Sequence, residues 1–479
     1  MPHSLHVAFV TPEMSPYAKS GGLADYSAGL PKALVRKGHR ATVILPRYAG
    51  VPFPPGDPDG SAQVRVDSEP RAAGFYRTRT HEGLDVVFVE YPPFYDRRAI
   101  YGEHDDRLRF AFLSRASIEY FRGRGERPSL FHAHDWQTGL VPVYLRCVYR
   151  DDPTVGHMPS LFTIHNVAYQ GQFPMDTVGL LGLPSSLGTS SALEYYGSVS
   201  YLKGGTVFAE MINTVSPTTA REIQGPEHGF GFEGVVRSRV DDLVGILNGV
   251  DYDDWDPRAG RHIARPYSPE DLSGKAACKA DLLRAYELAE FPDLPVLGVA
   301  SRLVWQKGFD IVARAWWDFV HRPVRMVVLG TGERGVQEGL RTLEEQDPDR
   351  FGVRFEYDEA LAHKVVAGAD MFLMPSRTEP CGLSQMYALL HGTIPIVRST
   401  GGLVDTVEPY DGEKGTGTGF RFDTADGTGL LWAVDQALAA FRQRDAWTAL
   451  VKRAMARDFS WDRSAGAYVE LYRRAVERA

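Results

Sequence analysis

The sequence predicts an α/β protein built from two Rossmann-like, doubly wound parallel-sheet domains facing across a deep cleft. Three observations predict it. Short β-like apolar runs alternate with helical periodicity along most of the chain. The chain has 479 residues, too many for one hydrophobic core. A Gly-Gly-Leu turn follows an apolar run in each half, at Gly21-Gly22-Leu23 and Gly401-Gly402-Leu403. Glycine pairs at strand-to-helix turns let the backbone approach an anion, and the next helix adds its positive N-terminal end. Two such turns far apart suggest two domains sharing one phosphate-bearing ligand.

In the first half, Leu5–Val10 reads as a strand and Leu23–Arg36 as a helix, with Gly38 at the C-cap position. Ala41–Leu45 is the next strand, stopped by Pro46. Residues 50–82, rich in Pro, Gly and Arg, read as a peripheral excursion. Leu84–Glu90, Leu130–His134 and Leu161–His165 are further strands, with polar residues gathered at their C-terminal ends. The pattern breaks at the polar turn 248–257, taken as a linker. A second series follows: strands Val296–Ala300, Arg325–Leu329, Val353–Tyr357, Met371–Met374 and Ile394–Val397, with helices beginning near Phe309, Glu333, Glu359 and Gly382. The predicted division is 1–250, 251–457, and a C-terminal helix, 458–479, packing back on the first domain. Ligands of such sheets bind beyond the carboxyl ends of the strands.

Composition narrows the class of function. A hydrophobic content of 43%, a charged content of 24% and a net charge of −8 describe a soluble protein and argue against nucleic acid or an anionic membrane as partner. Cys147, Cys278 and Cys381 are scattered thiols without a paired motif, as expected in a reducing cytoplasm. The six-residue apolar run Leu5–Val10 is a buried strand rather than a signal peptide, and no apolar stretch is long enough to span a bilayer.

Chemistry concentrates in a few segments. Ser301–Gly308 follows a strand and carries Arg302 and Lys307, a guanidinium fork and an ammonium suited to phosphate oxygens. In Pro375–Leu383, Glu379 precedes an expected helix start at Gly382, where free amides suit a phosphate and the carboxylate suits sugar hydroxyls. Cys381 is as readily a packed thiol as a functional one. His165 ends one strand, and His134, Asp135 and Trp136 end another. His132 and His134 lack a third ligand that would make a metal site, and Asp251-Tyr252-Asp253 reads as turn chemistry. No metal or cofactor is called for.

Together these segments resemble the bacterial glycogen synthase and plant starch synthase family, retaining glucosyltransferases of the GT-B type. The matching blocks are Lys19–Asp25, His132–Trp136, Thr163–Asn166, Thr214–Pro217, Leu247–Asp251, Ser301–Gly308, Pro375–Leu383 and Thr393–Val407. The resemblance implies transfer of glucose from ADP-glucose to the non-reducing 4-hydroxyl of an α-1,4-glucan such as glycogen. It implies catalytic roles for His165, Arg302, Lys307, Glu379 and Asp135. Lys19 and the backbone of Gly21 and Gly22 would touch donor phosphate, as would Arg302 and Lys307. Glu379 and the amides of Cys381, Gly382 and Leu383 would hold the glucose and distal phosphate. Asp135 and Asn248 would bind sugar hydroxyls, Asp25 would join the donor group, and Tyr357 would pack on adenine. Glu13, Tyr95 and Trp136 fall on the acceptor side. The chain departs from common family forms at Ser20, Tyr26 and Ser384, and Tyr387 stands where the wider GT-B pattern has a second carboxylate for the ribose. A UDP-glucose donor or a different acceptor is the alternative.

Overall fold

The computed structural model describes residues 4–51, 59–67, 69–97, 99–319 and 321–479. It divides into two compact units, Met1–Gly249 with Trp461–Ala479, and Val250–Ser460.

In the first unit the strands lie in the order Leu243–Gly245, Met211–Thr214, Ser160–Ile164, Leu130–His134, His6–Val10, Arg40–Pro46, Asp85–Glu90, Glu69–Arg79, Ser61–Val66. Every pairing from Leu243–Gly245 to Asp85–Glu90 is parallel. The central strands are buried on both faces, which is why they read as unbroken apolar runs. Much of the region expected to be peripheral belongs to the sheet. Ser61–Val66 and Glu69–Arg79 form an antiparallel hairpin that extends its edge, while residues 52–58 lie outside the described residues. Arg77 and Arg79 face outward there and grip the buried Asp85 at 2.6 and 2.7 Å. A small antiparallel sheet, Gln172–Phe173, Ser198–Ser200 and Glu194–Tyr195, stands apart.

The second unit holds one parallel sheet, in the order Phe351–Arg354, Arg325–Leu329, Val296–Ala300, Met371–Met374, Ile394–Arg398, Phe420–Phe422. Two expected boundaries shift. The strand predicted to reach Tyr357 ends at Arg354, leaving Tyr357 in the following loop. The helix predicted from Gly382 runs from Ser384 to Leu390, because Gly382 itself adopts a left-handed φ of 71°.

The last helix, Trp461–Glu477, belongs to the first unit. Trp461, Tyr468, Leu471 and Tyr472 are buried against the helix Gly22–Arg36 and the central strands. Each such burial stabilises by about 2 kcal/mol. Tyr472 and Tyr468 also reach polar groups in the sheet: Tyr472 Oη lies 2.9 Å from His132 Nδ1, and Asn213 Nδ2 donates to Tyr468 Oη at 2.9 Å. Gly29 makes room for the helix, since a Cβ there would fall 1.9 Å from the Trp461 indole nitrogen. Gly466, on the same helix, faces open space. Gly29→Ala is therefore expected to cost about 1–3 kcal/mol by overpacking, and Gly466→Ala to gain about 0.5–1 kcal/mol by helix propensity. Thermal melts of the two variants check this, and shifts of the same sign would refute the packing.

Candidate active site

Parallel strands bring their C-terminal ends to one edge of a sheet. In the first unit that edge gathers Glu13, Asp135 and His165. Asp135 has a left-handed φ of 52°, uncommon for a residue with a Cβ. The conformation aims its Oδ1 at the next strand end, where it accepts from the amides of His165 at 2.7 Å and Asn166 at 3.4 Å. Burial raises its pKa to about 7, while those two amides pull the other way. At neutral pH the carboxyl group is thus poised between its two forms.

His165 Nε2 lies 3.3 Å from His134 Nδ1, and its ring stands edge-on to Tyr26 at 4.6 Å. Burial lowers its pKa to about 3, so the imidazole is neutral. A neutral ring here can donate or accept one hydrogen bond but offers no standing charge. His134 and His132 are depressed well below the ordinary histidine range, first by burial and then by neighbouring histidines.

The glycine loop differs from its expected form. Glu13 is buried, and its carboxylate accepts from Ser20 Oγ at 2.7 Å, from the Ser20 and Gly21 amides (the latter at 3.2 Å) and from Tyr101 Oη. The anion seated on these amides is the chain's own. Glu13, expected on the acceptor side, thus shapes the loop, and the Gly21 amide, expected to touch donor phosphate, is engaged by Glu13. Gly22 opens the helix Gly22–Arg36. Lys19 Nζ donates to Asp25 at 2.7 Å, so these two donor-side candidates pair with each other. Tyr95, expected on the acceptor side, is fully buried, and its hydroxyl donates to the Arg109 carbonyl at 2.8 Å. Trp136 is half-buried against Phe110 and Phe173. Asn248 is buried, and its Oδ1 has no hydrogen-bond partner among the described residues. Tyr101 was not singled out in the sequence, because nothing in its local pattern marks it.

In the second unit, Ser301–Gly308 leaves the strand Val296–Ala300 and meets Pro375–Glu379. The contact depends on Gly308, whose φ is 72° and where a Cβ would fall 2.1 Å from the Pro375 carbonyl oxygen. Lys307 Nζ donates to Glu379 Oε2 at 2.5 Å, and Ser376 Oγ donates to the same oxygen at 2.9 Å. Arg302 is exposed and makes no ion pair among the described residues. Arg377, which sequence reasoning missed, locks the two loops. It grips Asp310 at 2.6 and 2.9 Å, donates to the Trp305 carbonyl at 3.0 Å, and its own carbonyl accepts from Arg398 at 2.7 Å.

Gln385 braces the turn after Glu379, donating to the carbonyls of Cys381 at 3.0 Å and Gly382 at 2.9 Å. The Cys381 side chain is buried, and Leu383 caps the helix that follows. Gly402 supports the same turn: its amide donates to the Glu379 carbonyl at 3.0 Å, and a Cβ there would fall 2.1 Å from the Cys381 carbonyl oxygen. The second glycine pair is a packing device. Tyr357 is 76% exposed. Tyr387 is buried and stacks on Trp255 at 4.1 Å, which stacks in turn on His363 at 3.8 Å. Asp251 Oδ1 accepts from the Asp253 amide at 3.0 Å and so caps the short helix Tyr252–Trp255. No helix among the described residues is long and apolar enough to cross a membrane.

Known proteins resemble this chain over nearly its whole length. A family model described as starch synthase catalytic domain matches residues 6–238, and one described as glycosyl transferases group 1 matches residues 286–452. The chain is 45% identical to a glycogen synthase of Koribacter versatilis (strain Ellin345) over 479 residues, covering 99% of each protein. It is 45% identical to a glycogen synthase of Anaeromyxobacter sp. (strain Fw109-5), covering 98% of this chain and 99% of that one. The catalytic domain of starch synthase IV from Arabidopsis thaliana, solved bound to ADP and acarbose, superposes with a TM-score of 0.92 at 34% identity, covering 99% of this chain and 100% of that one. Sucrose-phosphate synthase from Thermosynechococcus elongatus shares the fold, with a TM-score of 0.64 at 17% identity over 99% of this chain and 100% of that one.

The histidines make stability depend on pH with a definite sign. His132, His134 and His165 bind protons more weakly folded than unfolded, where the ordinary value is 6.5. The unfolded chain therefore takes up more protons as pH falls below 6.5, and the stability these groups contribute above that value is lost progressively towards about 3, the folded value of His165. Asp135, protonated more readily when folded, works the opposite way between 3.8 and about 7. Three histidines against one carboxyl group lead us to expect a falling melting temperature from pH 7.5 to pH 5. A melting temperature that rises over that interval would refute the assignment.

Proposed function

This chain belongs to the bacterial glycogen synthase and plant starch synthase family of glycosyltransferases, and from that premise we propose that it transfers glucose from ADP-glucose to the non-reducing 4-hydroxyl of an α-1,4-glucan, with retention and release of ADP. The observation that carries the reading is the Lys307–Glu379–Ser376 group, whose loop also carries Arg302, without an ion pair among the described residues, and is fixed by the Arg377 clamp. Fixed cations stabilise a diphosphate leaving group as its charge develops, and positions held in advance need no reorganisation during reaction.

In this reading Arg302 and Lys307 take the diphosphate oxygens, with Lys19 as a further cation. Glu379 is held by Lys307 and Ser376 with one oxygen engaged, leaving the other for glucose hydroxyls. The amides of Cys381, Gly382 and Leu383 follow it in the braced turn and are assigned to the glucose and distal phosphate. Asp135, Asn248 and the neutral His165 are assigned to the sugar, with His165 near the anomeric carbon. A neutral imidazole suits that place, since it adds no positive charge against oxocarbenium character. Departure of ADP breaks the anomeric C–O bond. The acceptor 4-hydroxyl then attacks from the face the phosphate leaves and passes its proton to the leaving phosphate oxygen, which preserves configuration. ADP-glucose is favoured over UDP-glucose by the ADP carried by the similar starch synthase. Tyr357 is the residue assigned to the adenine.

Lys307→Ala and Glu379→Ala are each expected to lower kcat by about 100-fold or more, with far-UV circular dichroism unchanged. ADP release from ADP-glucose and glycogen is the assay, run beside UDP-glucose. An unchanged kcat/KM in Lys307→Ala would remove its phosphate role, and preference for UDP-glucose would overturn the donor assignment. The ionised form of Asp135 accepts sugar hydroxyls more strongly, so kcat/KM is expected to fall as pH drops through about 7. Asp135→Asn should flatten that limb, and a profile unchanged in the variant would refute its role.

A further inference from the structure

A cavity of about 680 Å³ lies wholly within the first unit, inside the roughly 300–1,000 Å³ range of small-molecule sites. It opens where the strands Ser160–Ile164 and Met211–Thr214 begin. Asp135 and His165 stand at the opposite edge of that sheet, past strands of 5 residues, or roughly 16 Å. The cavity is thus separate from both.

Arginines dominate its wall. Arg146, Arg150, Arg239 and Arg478 line it, with His157 beside them. Their partners show which of them are already engaged. Arg239 has all five donors in use: Nε on Asp242 at 2.7 Å, Nη1 on the Thr206 and Val207 carbonyls at 2.8 and 2.7 Å, and Nη2 on the Ala209 and Glu210 carbonyls at 2.7 and 3.4 Å. These include the carbonyl end of the helix Tyr201–Phe208, so Arg239 answers that helix's negative pole. Glu210 is buried and engaged as well: one oxygen accepts from the Ser160 amide and hydroxyl at 2.6 and 2.8 Å, and the other holds Arg146. The remaining guanidinium capacity is unspent. Arg146 uses one nitrogen on Glu210, and Arg478 uses one on Asp242, which Arg239 already holds. Arg150 is exposed and makes no hydrogen bond or ion pair among the described residues. Four cations thus stand against Glu210 and Asp242, and they stay in excess with the exposed Ala479 carboxylate counted.

A concave wall with unanswered charge of one sign gathers the opposite ion. Guanidinium forks approaching from several sides suit a tetrahedral phosphate, whose oxygens project in different directions. A planar carboxylate is satisfied by one fork. Met158, Val207 and Phe208 make the rest of the wall apolar, which suits an organic group carried by the phosphate. We propose that this cavity is a binding site for a phosphate dianion, free or as the monoester of a small organic molecule. Arg150 and Arg478 are its principal ligands, with Arg146 and His157 in support. The site stands whether or not the chain is a synthase.

Isothermal titration calorimetry tests it on the full chain with ADP at saturation, so that donor-side cations are occupied. The titrants are fructose 6-phosphate, inorganic phosphate and citrate. The parent is expected to bind fructose 6-phosphate, and Arg150→Ala/Arg478→Ala to bind it about tenfold or more weakly. Neither substitution strands a buried charge, because Arg150 has no partner among the described residues and Asp242 keeps Arg239. Arg334→Glu, on an exposed helix position of the second unit, is expected to bind as the parent does. Tighter binding of fructose 6-phosphate than of inorganic phosphate identifies the ester as the ligand, and equal binding identifies the free ion. The site is overturned by a parent that binds neither phosphate, by a double variant that binds as tightly as the parent, by equal weakening in Arg334→Glu, or by citrate bound more tightly than either phosphate. If ADP itself does not bind, the synthase reading falls and the comparison of parent with double variant still decides the site. A double variant that melts well below the parent is replaced by Arg150→Ala alone, and the same outcomes decide.

Discussion

The phenol ring of Tyr26 is the contact on which the first unit turns. It stands edge-on to His165 at 4.6 Å, to His134 at 5.2 Å, to Trp461 at 5.4 Å and to Tyr468 at 5.9 Å. One side chain of the first helix thus touches both the candidate catalytic histidine and the last helix of the chain. Around it runs a buried polar chain: Tyr472 to His132, His132 to Thr163 at 2.6 Å, Thr163 to Asn213 at 2.5 Å, and Asn213 to Tyr468. Buried polar networks are costly when half satisfied and specifying when complete. Here the network fixes the strands whose ends carry Asp135 and His165, and it closes only when residues 461–479 dock. The 211 residues of Val250–Ser460 come between those two parts of the sequence, so the edge bearing Asp135 and His165 is finished by the end of the chain.

The strands with both faces covered were legible because burial on both sides leaves a continuous apolar run. Leu130–His134, Val296–Ala300, Arg325–Leu329 and Met371–Met374 fall where the sequence puts them. The hairpin Ser61–Arg79 was not legible, because an edge exposes every other residue and its arginines mimic a loop. Leu243–Gly245 and Phe420–Phe422 are three residues each, too short to show a period. Site residues followed a similar division. A motif names the residue types at a strand end, but not which of them turn inward. Tyr95 turns inward, and its hydroxyl is spent on a backbone carbonyl. Glu13 holds the loop that the motif advertises. Arg377 could not be found because its partner, Asp310, is distant in sequence, and such pairs leave no local trace.

The two Gly-Gly-Leu turns show how identical sequence serves unlike purposes. At Gly21 a Cβ would meet nothing within 4 Å, so the glycine there leaves space open. At Gly402 a Cβ would collide with the Cys381 backbone, so the glycine there lets two loops press together. The first turn carries a lysine and an aspartate beside it; the second hands its amide to the Glu379 carbonyl. Cβ clearance and hydrogen-bond destination separate the roles where the motif cannot.

The same logic bears on Lys307. A lysine paired with a carboxylate is a poor guide to phosphate binding if the pair is complete in itself, since exposed pairs contribute little and bind nothing further. This pair is different in two respects. Both partners are largely withdrawn from water, so the ammonium retains unsatisfied donors in a setting where each added hydrogen bond counts for more. Glu379 is also held by Ser376, so its carboxylate does not depend on Lys307 alone for position. The ammonium can turn a proton toward an arriving phosphate while the carboxylate stays in place. Arg302, exposed and without an ion pair among the described residues, is a second cation on the same loop, and Arg377 ties that loop to Asp310. In the reading proposed above, cations held in place in this way would stabilise the charge that develops on the leaving diphosphate, which is the condition for lowering a barrier instead of merely binding a donor.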